Sequence, residues 1–116
     1  MKKIYHLSTC STNQRILKEL KPGKDVELQD IKTNPITEKQ IEEMKQLAGS
    51  YEALFSRRAQ LYKSMDLKSK QLSENDYKQL ILEHYTFLKR PVIIVNDSIF
   101  IGNSKKVVEQ AKKALG

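Results

Sequence analysis

RPVIIVNDSIFIGNS, residues 90–104, contains the main evidence for the predicted fold. Val92–Val95 is a β-branched run of strand length, and Ser98–Ile101 is a second, mostly apolar segment. The polar pair Asn96-Asp97 between them predicts a two-residue turn, and therefore a β-hairpin. Gly102-Asn103-Ser104 then ends the strand and caps a last helix with apolar positions at Val107, Val108, Ala111 and Leu115. The chain is thus predicted to end as β-β-α.

The N-terminal third of the chain predicts the rest of the sheet. Residues 3–8 predict a short strand, which is followed by a polar loop of serine, threonine, cysteine and asparagine. A helix is predicted from Gln14 to Leu20, because apolar residues recur there at helical spacing. A second strand is predicted over Asp25–Ile31. Such a β-α-β segment implies two parallel strands joined by a right-handed crossover, so the complete sheet would be four-stranded and mixed.

Residues 36–88 lie between these two halves and predict helices. Thr37 and Gln40 fit a capping box at the start of one helix, which Gly49 would end. Ser73 begins another helix, with one continuous apolar stripe that runs as far as Leu88. The whole chain, residues 1–116, is therefore predicted to be one α/β domain on the thioredoxin-like plan. Its mixed sheet (β-α-β, then β-β-α) would carry a helical insertion at residues 36–88.

Composition and charge narrow the classes of function. The chain has 21 Lys and Arg against 14 Asp and Glu, and this net charge of +7 favours anionic partners. One cysteine and two histidines cannot form an internal disulfide, and no metal site is expected. No apolar run has the length of a signal peptide or a membrane span, so we expect a cytoplasmic protein without membrane contact. Nucleic-acid binding is not expected, because the aromatic residues fall at core-like spacings.

Cys10 is the residue on which the predicted chemistry depends. It stands between a predicted strand and a predicted helix, where unpaired N–H groups and the helix dipole favour an anion. A thiolate would be a well-populated nucleophile there, and Ser11, Thr12 and Asn13 can donate hydrogen bonds. The alternative is a buried cysteine that packs as a small apolar side chain. Because residue 13 is asparagine rather than cysteine, disulfide chemistry would have to finish on an external thiol or a partner protein.

Three further residues have two interpretations each on local sequence. Arg90 is either an anion clamp or a solvated surface charge. Pro91 opens a predicted strand, and the local sequence favours an ordinary trans bond, since only about 5–6% of X–Pro bonds are cis. His6 lies four residues before Cys10. It is either a positive charge beside the thiolate or a hydrogen-bonded strand residue.

Four segments then occur in an order that points to a known family. They are Ile-Tyr-His-x-x-x-Cys at Ile4–Cys10, Ala-Leu-Phe with arginines at Ala53–Arg58, Leu-Lys-Arg-Pro-Val-Ile-Ile at Leu88–Ile94, and Ile101-Gly102. Over nearly its whole length the chain resembles the arsenate reductase (ArsC) family. That family includes glutaredoxin-linked arsenate reductases, glutathione-linked thiol reductases of the YffB type, and Spx regulators that bind RNA polymerase. The resemblance implies a thioredoxin-like core with a helical insertion.

The resemblance also implies roles for individual residues. Cys10 corresponds to the catalytic cysteine, whose thiolate attacks an oxyanion or a mixed disulfide. Arg90 corresponds to an arginine that binds the anion, and Arg58 is expected to converge on the same site. His6 corresponds to a family histidine that precedes the cysteine and supports it. One departure is Ser56, which stands where the arsenate reductases have an arginine.

The bond between Arg90 and Pro91 is expected to be cis on this resemblance. Val92 would then pair its backbone with an extended thiol peptide such as glutathione. The function implied is a monothiol oxidoreductase without a bound cofactor, which uses glutathione as co-substrate and glutathione or glutaredoxin as partner. The alternative is an Spx-like regulator that binds RNA polymerase or another protein without catalysis. The segment Ile101–Ser104 holds no counterpart of the reductases' third arginine.

Overall fold

The computed structural model describes all residues, Met1–Gly116, and divides into two compact units. The sheet unit comprises Met1–Pro35 and Arg90–Gly116, and the helical unit comprises Ile36–Lys89. The elements of the sheet unit are β1 (Lys2–His6), α1 (Ser11–Leu20), β2 (Val26–Asp30), β3 (Val92–Val95), β4 (Ser98–Ile101) and α5 (Lys105–Leu115). Those of the helical unit are α2 (Glu38–Ala48), α3 (Gln60–Ser64), α4 (Glu74–Glu83) and three short 3₁₀ turns, Glu52–Leu54, Leu67–Ser69 and Tyr85–Phe87.

The predicted four-stranded mixed sheet is confirmed. Its strand order is β2-β1-β3-β4, with β1 parallel to β2 and antiparallel to β3. Ile4 in β1 is fully buried and pairs with Leu28 on one side and Ile93 on the other. One hydrophobic cluster lies between the sheet and the helices α1 and α5, and it contains Ile4, Ile16, Leu20, Val26, Ile93, Val95, Val108 and Ala111. Burial of these apolar side chains is the main force that holds α1 and α5 on the sheet.

The β1–α1 connection is shorter than the sequence predicts. Helix α1 begins at Ser11 rather than at Gln14, so Ser11, Thr12 and Asn13 form its first turn instead of a loop. Cys10 is the N-cap residue, with an extended backbone at φ −94° and ψ 116°. Asn13 is buried in this first turn, where its Oδ1 atom accepts the N–H of Leu7 at 3.0 Å.

The hairpin and the helix that follows it form as predicted. Asn96, in the turn, adopts a left-handed φ of 55°, a conformation that asparagine tolerates better than most residues. Ser104 caps α5 by accepting a hydrogen bond from the N–H of Val107 at 3.3 Å. This hairpin makes β3 a central strand and β4 an edge strand.

The helical unit has its own core and its own capping interactions. Thr37 and Ser73 each head a complete capping box, at the start of α2 and of α4. Phe55 is fully buried and stacks on Phe87, with the ring centroids 5.0 Å apart. The ring centroids of Tyr77 and Phe55 lie 4.9 Å apart, so these aromatic residues belong to the core of the unit, as their spacing indicates.

The continuous helix predicted as far as Leu88 is wrong beyond Glu83. Helix α4 ends there, because His84 takes an extended backbone at φ −137°, and a 3₁₀ turn follows. Leu88 then bridges to Phe55, and the N–H of Ser56 donates to the carbonyl of Phe87 at 2.6 Å. These pairings with residues about thirty positions away replace the last helical turn.

No helix combines the length and apolar character needed to cross a membrane.

Candidate functional site

Cys10 lies at the N-terminus of α1 as a free, half-buried cysteine. Its side chain makes no capping hydrogen bond to the helix. The first N–H groups of an α-helix have no partner within the helix, and in α1 they belong to Ser11, Thr12 and Asn13. The thiol therefore sits at the positive end of a ten-residue helix, where partial charges favour a thiolate or a bound anion.

Asn13 makes the most specific contact to the thiol. Its side chain is 1% exposed, and its Nδ2 group donates to Sγ of Cys10 at 3.6 Å. Its Oδ1 atom accepts the N–H of Leu7 at 3.0 Å, which fixes the amide so that the NH₂ group points at the sulfur. A hydrogen-bond donor held in this way stabilises a thiolate more than a neutral thiol. Asn13 therefore replaces the second cysteine of a Cys-x-x-Cys pair with a fixed donor.

The segment that leads to the thiol, Leu7–Cys10, is anchored by Asp30 at the end of β2. Ser8 donates to this carboxylate twice, through Oγ at 2.6 Å and through its N–H at 3.2 Å. The N–H of Lys32 donates to it as well, at 3.2 Å. These donors, with the Ser8 hydroxyl first, lower the pKa of Asp30 to about 2.

Asp30 was not singled out by the sequence. The parallel β1–β2 pairing was predicted, however, and it places His6 opposite Asp30 at the same end of the sheet. The register of this pairing is not specified by local sequence, so the sequence alone does not place the carboxylate beside Leu7–Cys10. Gln14 also stabilises the segment Leu7–Cys10, since its Nε2 group donates to the carbonyl of Ser8.

His6 is the last residue of β1, and its side chain is half-buried. Its Nδ1 atom is buried and has no hydrogen-bond partner, so the hydrogen bond expected of a strand histidine does not form at that nitrogen. Burial lowers the pKa of His6 below its ordinary value, although the nearby Asp30 carboxylate opposes the shift. This shift disfavours the imidazolium, the form that would place a positive charge beside the thiolate.

Arg90 and Pro91 lie at the same end of the sheet as the thiol segment. The antiparallel register pairs Tyr5 with Val92, so the chain before β3 runs beside the chain that leaves β1 towards Cys10. The bond between Arg90 and Pro91 is cis, as the family resemblance implies. Arg90 is half-buried, and the topology thus places a guanidinium-bearing residue at the end of the sheet that holds Cys10.

Val92 cannot pair with an extended peptide, which corrects the role expected of it. It lies in the central strand β3 and pairs with Tyr5 on one side and with Ile101 on the other. The neighbouring carbonyl of Pro91 also accepts a bond within the sheet, from the N–H of Gly102 at 3.0 Å. Added strands need a free sheet edge, and in this sheet the edges are β2 and β4.

The remaining predicted site residues are Ser11, Thr12 and Arg58. Ser11 is exposed and Thr12 is half-buried in the first turn of α1. Arg58 is exposed in the helical unit, ahead of α3, and its convergence on Cys10 stays a prediction. Its neighbour Arg57 is already engaged, since it donates to Glu52 at 2.7 Å and to the Tyr77 hydroxyl at 3.1 Å.

Comparisons with known proteins place the chain in one family. The model of the ArsC family matches residues 5–111, and no curated protein matches the chain. An arsenate reductase from Vibrio cholerae is similar in structure, with 22% identity, a TM-score of 0.78, and coverage of 97% of this chain and 96% of that one. An ArsC-related protein from Brucella melitensis has 20% identity, a TM-score of 0.72, and coverage of 94% and 92%.

A third similar structure is that of a YffB protein. It has 17% identity, a TM-score of 0.78, and coverage of 100% of both chains. At these identities the three structures establish the fold, a thioredoxin-like core, and nothing of the chemistry.

Proposed function

Because the chain belongs to the ArsC family of thiol oxidoreductases, we propose that it is a monothiol oxidoreductase that uses glutathione as its co-substrate. The observation that carries the proposal is the Asn13 amide donating to Sγ of Cys10 at the N-terminus of α1. A thiolate stabilised by a donor and a helix dipole is the form that attacks a disulfide. Cys10 is the only cysteine, so the second thiol comes from outside the chain, and glutathione is the thiol proposed here.

The reaction on a glutathione mixed disulfide takes two exchanges. The Cys10 thiolate attacks the glutathione sulfur, a Cys10–glutathione disulfide forms, and the substrate leaves as a thiolate. A second glutathione thiolate then attacks the glutathione sulfur of that disulfide, which releases oxidised glutathione and regenerates the Cys10 thiolate. The substrate disulfide is reduced by two electrons, and two glutathione units leave as one disulfide.

Arsenate is the second substrate that the family suggests. The Cys10 thiolate would displace hydroxide from arsenic and form a thiolate ester, and two glutathione thiols would supply the two electrons that yield arsenite. We rank this reaction below the mixed disulfide, because Ser56 stands where the reductases have an arginine. Arg90 is then the cation proposed to hold the oxyanion or a glutathione carboxylate.

The test measures oxidised glutathione produced from the mixed disulfide of glutathione and 2-mercaptoethanol, and in parallel from arsenate. We expect the wild-type chain to accelerate the first reaction above the uncatalysed rate, and Cys10→Ser to abolish the acceleration. A Cys10→Ser variant as active as the wild type would overturn the assignment of the nucleophile. Failure of the wild type on both substrates, with glutaredoxin added, would overturn the proposed function itself.

Arg90 is tested in the same assay. Arg90→Ala should raise the KM for glutathione about tenfold, as expected for a lost charge-assisted hydrogen bond, and Arg90→Lys should restore part of the loss. Lys89→Ala removes the adjacent, exposed cation and is the matched control. Equal KM values for Arg90→Ala and Lys89→Ala would remove Arg90 from the site.

A further inference from the structure

Helices α1 and α5 carry most of the excess positive charge of the chain. They contain six cations, which we name the basic face: Arg15, Lys18, Lys105, Lys106, Lys112 and Lys113. The same helices hold two carboxylates, Glu19 and Glu109, so their net charge is +4 of the +7 for the whole chain. The two helices pack against each other over one hydrophobic cluster, so their exposed sides are neighbours.

The cations of the basic face are not neutralised within the chain. All six are exposed, and none of them forms a salt bridge. The cations that are paired lie elsewhere, at Lys2, Lys3, Arg57 and Lys78. Unpaired like charges on adjacent helices repel one another and raise the local potential, which favours an anionic partner over bare solvent.

The positions of these cations form rows along the helices. Arg15 and Lys18 lie one turn apart on the exposed side of α1, away from its buried residues. Lys106 and Lys113 lie two turns apart, about 10 Å along the axis of α5. An extended or helical acidic segment can meet charges at such spacings, whereas a single small anion can meet only one or two of them.

One end of the basic face adjoins the candidate site. Cys10 caps α1, and Arg15 lies just over one turn further along that helix. Helix α5 follows β4, whose last residue, Ile101, pairs with Val92 at the end of the sheet that holds the thiol segment. A partner that lies on the basic face therefore reaches the end of the sheet where Cys10 is half-exposed.

We propose that the basic face docks an acidic protein substrate and presents that protein's glutathionylated cysteine to Cys10, an inference that rests on the proposed function. A protein carries the thiol that the reaction needs, and a nucleic acid does not. The basic face has one arginine among six cations and no aromatic residue, although arginine and aromatic side chains are the usual groups that read bases. Glu19 and Glu109 would also repel a phosphate backbone.

Binding is tested without catalysis on Cys10→Ser protein. The probe is a fluorescent peptide of six glutamates and one S-glutathionylated cysteine, and the reference peptide has glutamines in place of the glutamates. We expect the acidic peptide to bind about tenfold or more tightly than the reference at low ionic strength, and salt to weaken it. The variant Lys18→Glu, Lys106→Glu, Lys113→Glu should abolish this preference.

The matched control makes the same change of net charge elsewhere. Lys63→Glu, Lys68→Glu, Lys70→Glu replaces three exposed lysines of the helical unit and should keep the preference largely intact. Equal losses in the two folded triple variants, checked by circular dichroism, would reduce the effect to net charge and overturn the docking face. Tighter binding of a 20-base-pair DNA duplex than of the acidic peptide would overturn the choice of partner. The proposed function is measured separately, by turnover of the small mixed disulfide.

Discussion

The sulfur of Cys10 accepts a hydrogen bond from one buried amide at the N-terminus of α1. Asn13 is held by the N–H of Leu7 and donates to the sulfur from inside the first turn of α1. Burial lowers the pKa of His6, which disfavours a positive charge on its imidazole. A thiolate in this position depends on directed hydrogen bonds and on the helix terminus, which are both fixed by the fold.

Replacing Asn13 by aspartate tests this dependence on a single donor. Asn13→Asp keeps an oxygen for the Leu7 N–H but puts a carboxylate beside the sulfur, so the thiolate is disfavoured. We expect iodoacetamide to alkylate Cys10 of the variant about tenfold more slowly at pH 7. Thr12→Val, in the same turn but without a hydrogen bond to the sulfur, is the control. An unchanged alkylation rate in Asn13→Asp would remove the amide from the site.

Residue types were easier to predict than residue contacts. Cys10 and Asn13 are selected by the polar connection and Arg90 by the family resemblance, and the sheet places all three towards one end. Asp30 was missed because its role depends on the register of β1 against β2, which local sequence does not specify. The expected pairing role of Val92 was wrong because strand order, and so which strands have a free edge, is set by tertiary packing.

Among the elements, side-chain caps predicted the starts of three helices correctly, whereas the start of α1 and the end of α4 were misplaced. Thr37, Ser73 and Ser104 accept the hydrogen bonds expected of N-cap residues. The end of α4 was misplaced because the same apolar residues that suit a helical stripe also suit a 3₁₀ turn packed against Phe55. A cap is a local interaction that the sequence specifies directly, whereas the end of this helix is set by a distant pairing.

The cap at Ser73 should make a measurable contribution to stability. Its Oγ atom accepts the N–H of Asp76 at 3.2 Å, and Asp76 in turn accepts the N–H of Ser73 at 2.8 Å. Ser73→Ala should lower the free energy of unfolding by about 1 kcal/mol in urea titrations. Ser64→Ala, near the end of α3, removes a hydroxyl with no capping role and should change it by less than about 0.5 kcal/mol. Equal effects of the two substitutions would contradict the cap.

Over the molecule as a whole, the cations in salt bridges and the unpaired cations of the basic face have different roles. The paired cations stabilise local geometry, as Lys78 does between Glu38 and Glu42 at 3.0 and 3.1 Å within the helical unit. Six unpaired cations lie together on the basic face of the sheet unit. Surface ion pairs contribute little to stability, so an excess of unpaired lysines on one face costs the fold little while it raises the local potential.

Acid should lower the free energy of unfolding through two groups, first His6 and then Asp30. The pKa of Asp30 is about 2 in the folded chain against 3.8 ordinarily, chiefly because of the Ser8 hydroxyl. Its stabilising contribution is therefore complete above about pH 4 and is lost as the pH falls through about 2. The pKa of His6 is also lowered in the folded chain, so protonation below its ordinary value of 6.5 favours unfolding.

Urea unfolding followed at several pH values separates these two groups. We expect the free energy of unfolding to fall slightly from pH 7 to pH 5 through His6, and by a further 1 kcal/mol or so below pH 4 through Asp30, since water screens a half-exposed carboxylate. Asp30→Asn should lower the free energy of unfolding at pH 7, because an amide accepts hydrogen bonds at only one oxygen. It should also make the decrease below pH 4 shallower, because the amide does not titrate. Asp97→Asn, in the exposed hairpin turn, is the matched control. If the free energy of unfolding falls equally steeply below pH 4 in Asp30→Asn and in Asp97→Asn, other carboxylates cause the loss of stability in acid. Asp30, the anchor of Leu7–Cys10, would then contribute nothing to that loss.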